Sequence, residues 1–216
     1  MIKKNKFKVL ISSVLILLPV LFGVAVWNEL PEKIVTHWGA DGNPDGFSSK
    51  AFAVFGLPLI ILAIHWLCLI FSRFDPKNTN QHPKVMAIVF WICPAVSILC
   101  AAFIYSYSFK IELNVGGICI AFMGILFIIL GNYMPKCKQN YTMGIKIPWT
   151  LNDEANWNAT HRFAGKLWVV GGILLLPAAF LPETVLPWIL IVIAPLVLAP
   201  IIYSGVYHKK HNKEDK

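Results

Sequence analysis

Charge is what this sequence has least of. Asp, Glu, Lys and Arg make up 14% of its 216 residues, whereas a soluble domain carries about 25%. An ordinary water-covered globule is excluded on that ground alone. Acidic residues are the scarcest, 11 against 19 basic ones, which leaves a net charge of +8. Cysteine is also sparse: five residues, an odd number, with no C-x-x-C pair and no secreted disulfide framework. Cys68, Cys93, Cys100 and Cys119 fall in apolar runs, Cys137 in a polar stretch, and all read as small buried hydrophobes. Phosphate-binding loops, nucleophile motifs and compact metal-ligand spacings are missing, so no cofactor and no metal is expected. What fills the chain instead is apolar residues, 57% of it, with a mean hydropathy of +0.64. That composition belongs to a membrane protein.

Six apolar runs approach the length needed to cross about 30 Å of hydrocarbon. They are Val9–Trp27, Ala51–Phe71, Val85–Tyr107, Leu113–Tyr133, Lys166–Leu181 and Val185–Tyr207. The expected fold is all-α, with six transmembrane helices. The fifth run is the shortest and is expected to begin earlier, inside the polar stretch before it. The first follows Lys3, Lys4, Lys6 and Lys8, but it is too long for a signal-peptide core and no small-x-small cleavage site follows, so it is read as a retained helix. With both termini cytoplasmic, sixteen of the 19 Lys and Arg lie on the inner side, and only Lys33, Lys50 and Lys110 lie outside. This asymmetry sets the orientation. The basic surface then faces anionic lipid, and no direct nucleic-acid partner is needed to explain the charge. The tail from Tyr207 reads as an anchor at the lipid surface.

Two polar stretches stand out. The first, residues 28–50, lies outside and carries the turn dipeptides Asp41-Gly42 and Asn43-Pro44. His37, Asp41 and Asp45 invite a metal reading, but turn-capping carboxylates and a surface histidine account for them as well. The second, residues 132–162, lies inside. At about thirty residues it is too long to be a mere connector, and its Trp and Tyr content argues for a folded element. Pro135 ends the fourth helix, residues 141–144 look like a turn, and residues 145–148 should be extended before Pro148. Thr150 is expected to cap a new helix on which Glu154, Trp157, Asn158 and His161 share one face. Trp149 and Trp157 are expected to fix that helix against the headgroups. Gly117, Gly124 and Gly131, and then Gly165, Gly172 and Ala179, recur every seven residues, so the helices on either side of this stretch should pack closely along a small-residue seam.

The run Asn140-Tyr-Thr-Met-Gly-Ile-Lys-Ile-Pro-Trp-Thr-Leu151, followed by Glu154, Trp157, Thr160, His161 and Arg162, resembles the signature of the SdpI-like immunity family. The outer stretch, with Pro31, His37, Trp38, Gly42, Asp45 and Lys50, resembles the companion domain often found at the N-terminus of that family. The departures are small: Lys146 where the family often has Arg, Ile147 where it often has Thr, and Val35 where the outer motif often has Pro. The resemblance implies a multi-pass protein of the bacterial cytoplasmic membrane that protects its cell from a secreted toxic peptide. For some members it also implies signalling, by drawing a repressor to the inner membrane face.

On this reading residues 1–75 carry the first two helices and the outer motif, and residues 76–216 carry the remaining helices and the inner motif. The partner-binding or output set is Asn140, Tyr141, Gly144, Lys146, Pro148, Trp149, Thr150, Glu154, Trp157, Thr160, His161 and Arg162. The lipid bilayer, a secreted toxic peptide and a cytoplasmic repressor are the implied partners, and no enzymatic activity is expected. A competing reading, a membrane enzyme, would use Glu154 and His161 as acid and base. A small transporter is the third, disfavoured by the near-absence of carboxylates from the apolar runs.

Overall fold

The computed structural model describes residues 5–39, 42–78, 81–181 and 186–211. Asp41, the outermost lysines of both ends and the tail beyond His211 lie outside the described residues. Contacts divide the chain into two units, residues 1–73 with 87–116, and residues 74–86 with 117–216.

Seven α-helices carry the described residues: α1 (Lys6–Ala25), α2 (Leu57–Phe74), α3 (Pro83–Ser108), α4 (Val115–Tyr133), α5 (Pro148–Asn152), α6 (Glu154–Ala178) and α7 (Leu186–His211). A π-helical turn, Phe52–Gly56, leads into α2. Among the described residues, five stretches are long and apolar enough to cross a membrane: Lys6–Ala25, Phe52–Phe74, Pro83–Ser108, Val115–Lys136 and Ile189–His211. The helix expected as the fifth of six spans, α6, does begin inside the polar stretch, at Glu154. Its first half carries Glu154, His161, Arg162 and Lys166, so its uniformly apolar run is shorter than in the other five.

The helical expectation also needs one addition. Residues flanking the turn dipeptides pair as an antiparallel hairpin, β1 (Lys33–Trp38) with β2 (Pro44–Ser49). The β-branched run Ile34-Val35-Thr36 favours extended backbone, and the following Gly and Pro residues supply the reversal. Gly42 sits at φ 74°, donating to the Gly39 carbonyl at 3.0 Å. The register, Val35 opposite Phe47 and His37 opposite Gly46, is broken by bulges on either side of His37.

In the first unit the hairpin is seated by an apolar core of Leu30, Ile34, Val54, Ile104 and Tyr105. Several polar side chains on the helices reach main-chain carbonyls of a neighbouring helix. Ser97 Oγ donates to the Ile16 carbonyl at 2.8 Å and Tyr105 donates to that of Pro19 at 2.8 Å. His65 lies buried with its Nε2 2.9 Å from Ser12 Oγ, whose own proton goes to the Val9 carbonyl.

In the second unit the small-residue seam is formed. A Cβ on Gly124 would meet the Gly172 carbonyl oxygen at 2.9 Å, and one on Gly131 or Gly165 would meet the other's carbonyl oxygen at 2.7 Å. Helices α4 and α6 therefore approach backbone to backbone, which only residues without large side chains permit. Helix α6 also packs on α7, where Trp168 Nε1 donates to the Leu196 carbonyl at 2.8 Å.

Candidate functional site

The polar stretch 132–162 is a folded knot between α4 and α6. Helix α4 ends at Tyr133 and passes into a short 3-10 turn, Met134–Lys136, with Pro135 inside it. Asn140 then organises the next reversal. It is fully buried; its Oδ1 accepts the Thr142 and Met143 amides at 2.9 and 2.6 Å, and its Nδ2 donates to the Lys138 carbonyl at 2.8 Å. This is an Asx-type turn, in which a short amide side chain substitutes for backbone partners.

Gly144 closes the turn at φ 103°, a conformation in which a side chain is strained. A Cβ there would also collide with His161 Nε2 and meet the Trp157 ring. The chain then runs extended to Pro148, the first residue of α5. Thr150, expected as a helix cap, is instead buried inside α5. Its hydroxyl accepts the Ile147 amide at 3.1 Å and donates back to the Ile145 carbonyl at 2.7 Å. The true cap of α6 is Asp153, whose carboxylate accepts the Ala155 amide at 2.8 Å.

The expected shared face of Glu154, Trp157, Asn158 and His161 is split. Trp157 and His161 are buried while Glu154 and Asn158 are exposed, because the stretch 137–147 covers one side of α6 and not the other. Trp157 is 0% exposed and so faces protein rather than headgroups. Its Nε1 donates to the Cys137 carbonyl at 2.7 Å, and its ring packs with Val85, Cys137, Met143 and Leu151. His161 Nε2 accepts the Ile145 amide at 3.0 Å, so Nδ1 carries the proton and donates to the Trp157 carbonyl at 2.8 Å. Burial lowers its pKa to about 4, opposed in part by that backbone bond, so the ring is neutral at physiological pH. Both ring nitrogens are already committed. An acid–base pair of His161 with the exposed Glu154 is not formed. Burial likewise pushes the Cys137 thiol up to about 11, which makes it a packing group rather than a nucleophile.

The remaining motif residues divide between frame and surface. Thr160 donates to Asn156 Oδ1 at 2.9 Å, and Asn156 is also tied to Ser204 of α7 in both directions. Tyr141 is exposed beneath the Lys77 ammonium, 5.0 Å from its ring centre. Lys146 is exposed and donates to the Thr142 carbonyl at 3.1 Å. Trp149 lies half-exposed against Gly205 and stacks on His208. Glu154 and Arg162 are exposed on α6.

Sequence reasoning missed four members of this knot. Asp75, just after α2, accepts the Tyr141 amide at 2.7 Å and the Thr142 hydroxyl at 3.0 Å while staying buried. Gln139 donates to the Thr150 and Leu151 carbonyls at 2.7 and 3.0 Å. Asn156 and Ser204 are the other two. An Asp-Pro dipeptide at the end of α2 was the one available hint, and it reads only as a turn.

At the hairpin, His37 Nδ1 and Asp45 Oδ1 are 2.5 Å apart on the surface, Asp45 being the neighbour of Gly46, the residue opposite His37. Lys50 is buried; it pairs with Glu32 at 2.9 Å, donates to the Leu30 carbonyl at 3.1 Å and lies 5.0 Å from the Trp27 ring centre. Trp38 meets Phe103 and Tyr107 edge-on. Pro31 is exposed beside Leu30, and Gly42 makes the turn described above.

The SdpI/YfhL protein family matches residues 136–204, which take in the knot from Lys136 onward, α5, α6 and most of α7. A domain of unknown function (DUF1648) matches residues 14–62, which include the hairpin. No solved structure matches the chain. Immunity protein SdpI of Bacillus subtilis (strain 168) is 30% identical over 218 residues, covering 97% of this chain and 98% of that protein. Similarity of that extent, together with five membrane-length apolar helices, makes the chain a multi-pass bacterial membrane protein that belongs to the SdpI/YfhL protein family.

Proposed function

We propose that the protein confers immunity against a secreted toxic peptide, and that the knot between α4 and α6 is its output surface on the cytoplasmic side. The observation that carries this reading is the end-to-end similarity to an immunity protein. The geometry of the knot supports it. His161 and Trp157 are used up in internal hydrogen bonds, so the segment is built to hold a shape. The groups left on its outside, Tyr141, Lys146, Glu154 and Arg162, are those a protein partner would touch.

On this reading the chain crosses the bilayer six times, with α6 as the short fifth span, and both termini are cytoplasmic, the orientation that the Lys and Arg asymmetry supports. The hairpin and its surroundings, within residues 1–75, receive the peptide. The knot, within residues 76–216, docks a cytoplasmic repressor. Two polar elements on opposite faces cannot both meet one external peptide, so reception and output are separate. The test is expression in a sensitive bacterium, followed by challenge with candidate secreted peptides. Survival above the empty-vector control supports the reading. Equal killing by every toxic peptide at confirmed membrane abundance overturns it.

A further inference from the structure

We propose that the cavity beside the hairpin is the seat of an apolar, nearly uncharged segment of the external peptide; this rests on the immunity reading above. The cavity has a volume of about 740 Å³, within the roughly 300–1,000 Å³ of ordinary ligand pockets. Its wall is aromatic: Trp38 of β1, Phe47 of β2, and Phe103 and Tyr107 of α3. Trp38 is held in place by edge-on contacts, 6.0 Å to Phe103 and 6.5 Å to Tyr107 between ring centres, so this wall is formed before anything binds.

Two large apolar side chains on the lining, Phe47 and Ile111, each remain 57% exposed. The turn that carries Ile111 is specific. The Ile111 amide donates to the Ser106 carbonyl at 2.8 Å and the Lys110 amide to that of Tyr107 at 3.0 Å, which is a Schellman closure of α3. Its left-handed position, where glycine is usual, holds Lys110 at φ 59°. The residue in that strained position is a lysine, and it lines the cavity.

The charges among the lining residues are balanced: Glu29 and Glu112 against Lys33 and Lys110. Against a lining of zero net formal charge, neither an anionic phospholipid headgroup nor a polycation gains a net electrostatic attraction. A peptide segment with little net charge matches that balance. Ser106 and Ile111 also line an apolar groove of about 690 Å³ between α1 and α3, with Leu18, Phe22 and Phe109. Apolar side chains of a bound peptide can therefore continue from the cavity into the groove, whose own lining holds no charged residue.

The probe is a fluorescein-labelled synthetic octapeptide of Leu, Phe, Ile and Ser, with both ends capped. It is titrated by anisotropy against the full chain in phosphatidylcholine nanodiscs. Phe47→Asp and Ile111→Asp place a carboxylate on exposed positions and should each weaken binding at least ten-fold. Phe180→Asp, at an 88% exposed position on the other unit, should leave it unchanged. No binding by the wild type, equal binding by all variants, or displacement of the probe by phosphatidylglycerol would overturn the proposal. The same variants are scored for survival under toxin. Wild-type protection retained in both cavity variants removes the cavity and leaves immunity standing. Site-specific probe binding without protection by the wild type removes immunity and leaves the cavity as a peptide site.

Discussion

The rings of Trp157 and His161 are stacked, with centroids 4.0 Å apart and planes at 18°, one helical turn apart on α6. Each also ties α6 to the stretch before it, Trp157 through the Cys137 carbonyl and His161 through the Ile145 amide. The stack is the pin of the knot, and it works only while the imidazole is neutral, because a protonated Nε2 cannot accept the Ile145 N–H.

That requirement has a pH signature. Burial sets the His161 pKa at about 4 in the folded protein against an ordinary value of 6.5. Between those values the unfolded chain binds more protons, so stability rises with pH there. The contribution is fully present above about pH 6.5 and is lost progressively as pH falls toward 4, in total about 3 kcal/mol. Thermal melts in detergent between pH 4.5 and 7.5 should show this slope in the wild type. In His161→Gln it should be reduced, with lower stability at pH 7.5. Identical slopes would mean that His161 is not the titrating group.

The glycine seam gives a steric prediction. A leucine at Gly124 or Gly172 must displace the facing backbone of α6 or α4, and overpacking of this kind costs about 1–3 kcal/mol. At Gly116 an added Cβ meets nothing closer than Asn114 Oδ1 at 3.9 Å. Gly124→Leu and Gly172→Leu should lower the melting temperature, and Gly116→Leu should not. Equal stability of all three would remove the seam.

The seam was legible because a seven-residue spacing of small residues is written in each helix separately. The reversal at Gly144 and the break at Pro135 were legible for the same reason: backbone preferences are local. Which face of α6 is buried was not, since the stretch 137–147 and α7 decide it, and spacing alone grouped the exposed Glu154 with the buried His161. Asp75 was invisible because its partner amide, that of Tyr141, lies 66 residues away. The hairpin had a local signal in Ile34-Val35-Thr36, and the turn residues beside it were read without the strands they join.

Asp75 therefore supplies an independent check on the knot. Its Oδ2 accepts the Tyr141 amide and the Thr142 hydroxyl in a buried setting. Asp75→Ala leaves the Tyr141 amide without its acceptor, at about 1–3 kcal/mol, while the Thr142 hydroxyl keeps Asn140 Oδ1 at 3.1 Å. Limited proteolysis should then cut within residues 138–146 faster than in the wild type, while the hairpin stays resistant. Unchanged cleavage would mean that the knot holds without its link to the end of α2.

Orientation can be tested with thiols once burial is taken into account. Cys137 is 5% exposed with its pKa at about 11, so it should resist maleimide even in permeabilised cells. The exposed Asn152 is the better reporter. In a chain whose other cysteines are replaced, Asn152→Cys should label only after permeabilisation, and Asn43→Cys should label on intact cells. Labelling at position 152 on intact cells would reverse the proposed topology.

The last prediction separates the frame of the knot from its surface. Thr150, Trp157 and His161 are buried and hydrogen-bonded, so replacing them by Ala should reduce stability first and output only as a consequence. Tyr141, Lys146, Glu154 and Arg162 lie on the outside, where truncation removes contact area and charge without opening a cavity. Exposed changes of this kind usually shift stability by no more than about 0.5 kcal/mol. Tyr141→Ala, Glu154→Ala and Arg162→Ala should therefore leave membrane abundance and melting temperature unchanged. If the knot is an output surface, they should abolish an inner-face transcriptional reporter while survival under toxin, which depends on the hairpin side, is retained. Hairpin-side variants such as Asp45→Ala should show the converse, with the response to external peptide altered at normal abundance. Normal reporter output from all three exposed variants would reduce the knot to a structural lock between α4 and α6, and recognition of a cytoplasmic partner would have to lie elsewhere on the chain.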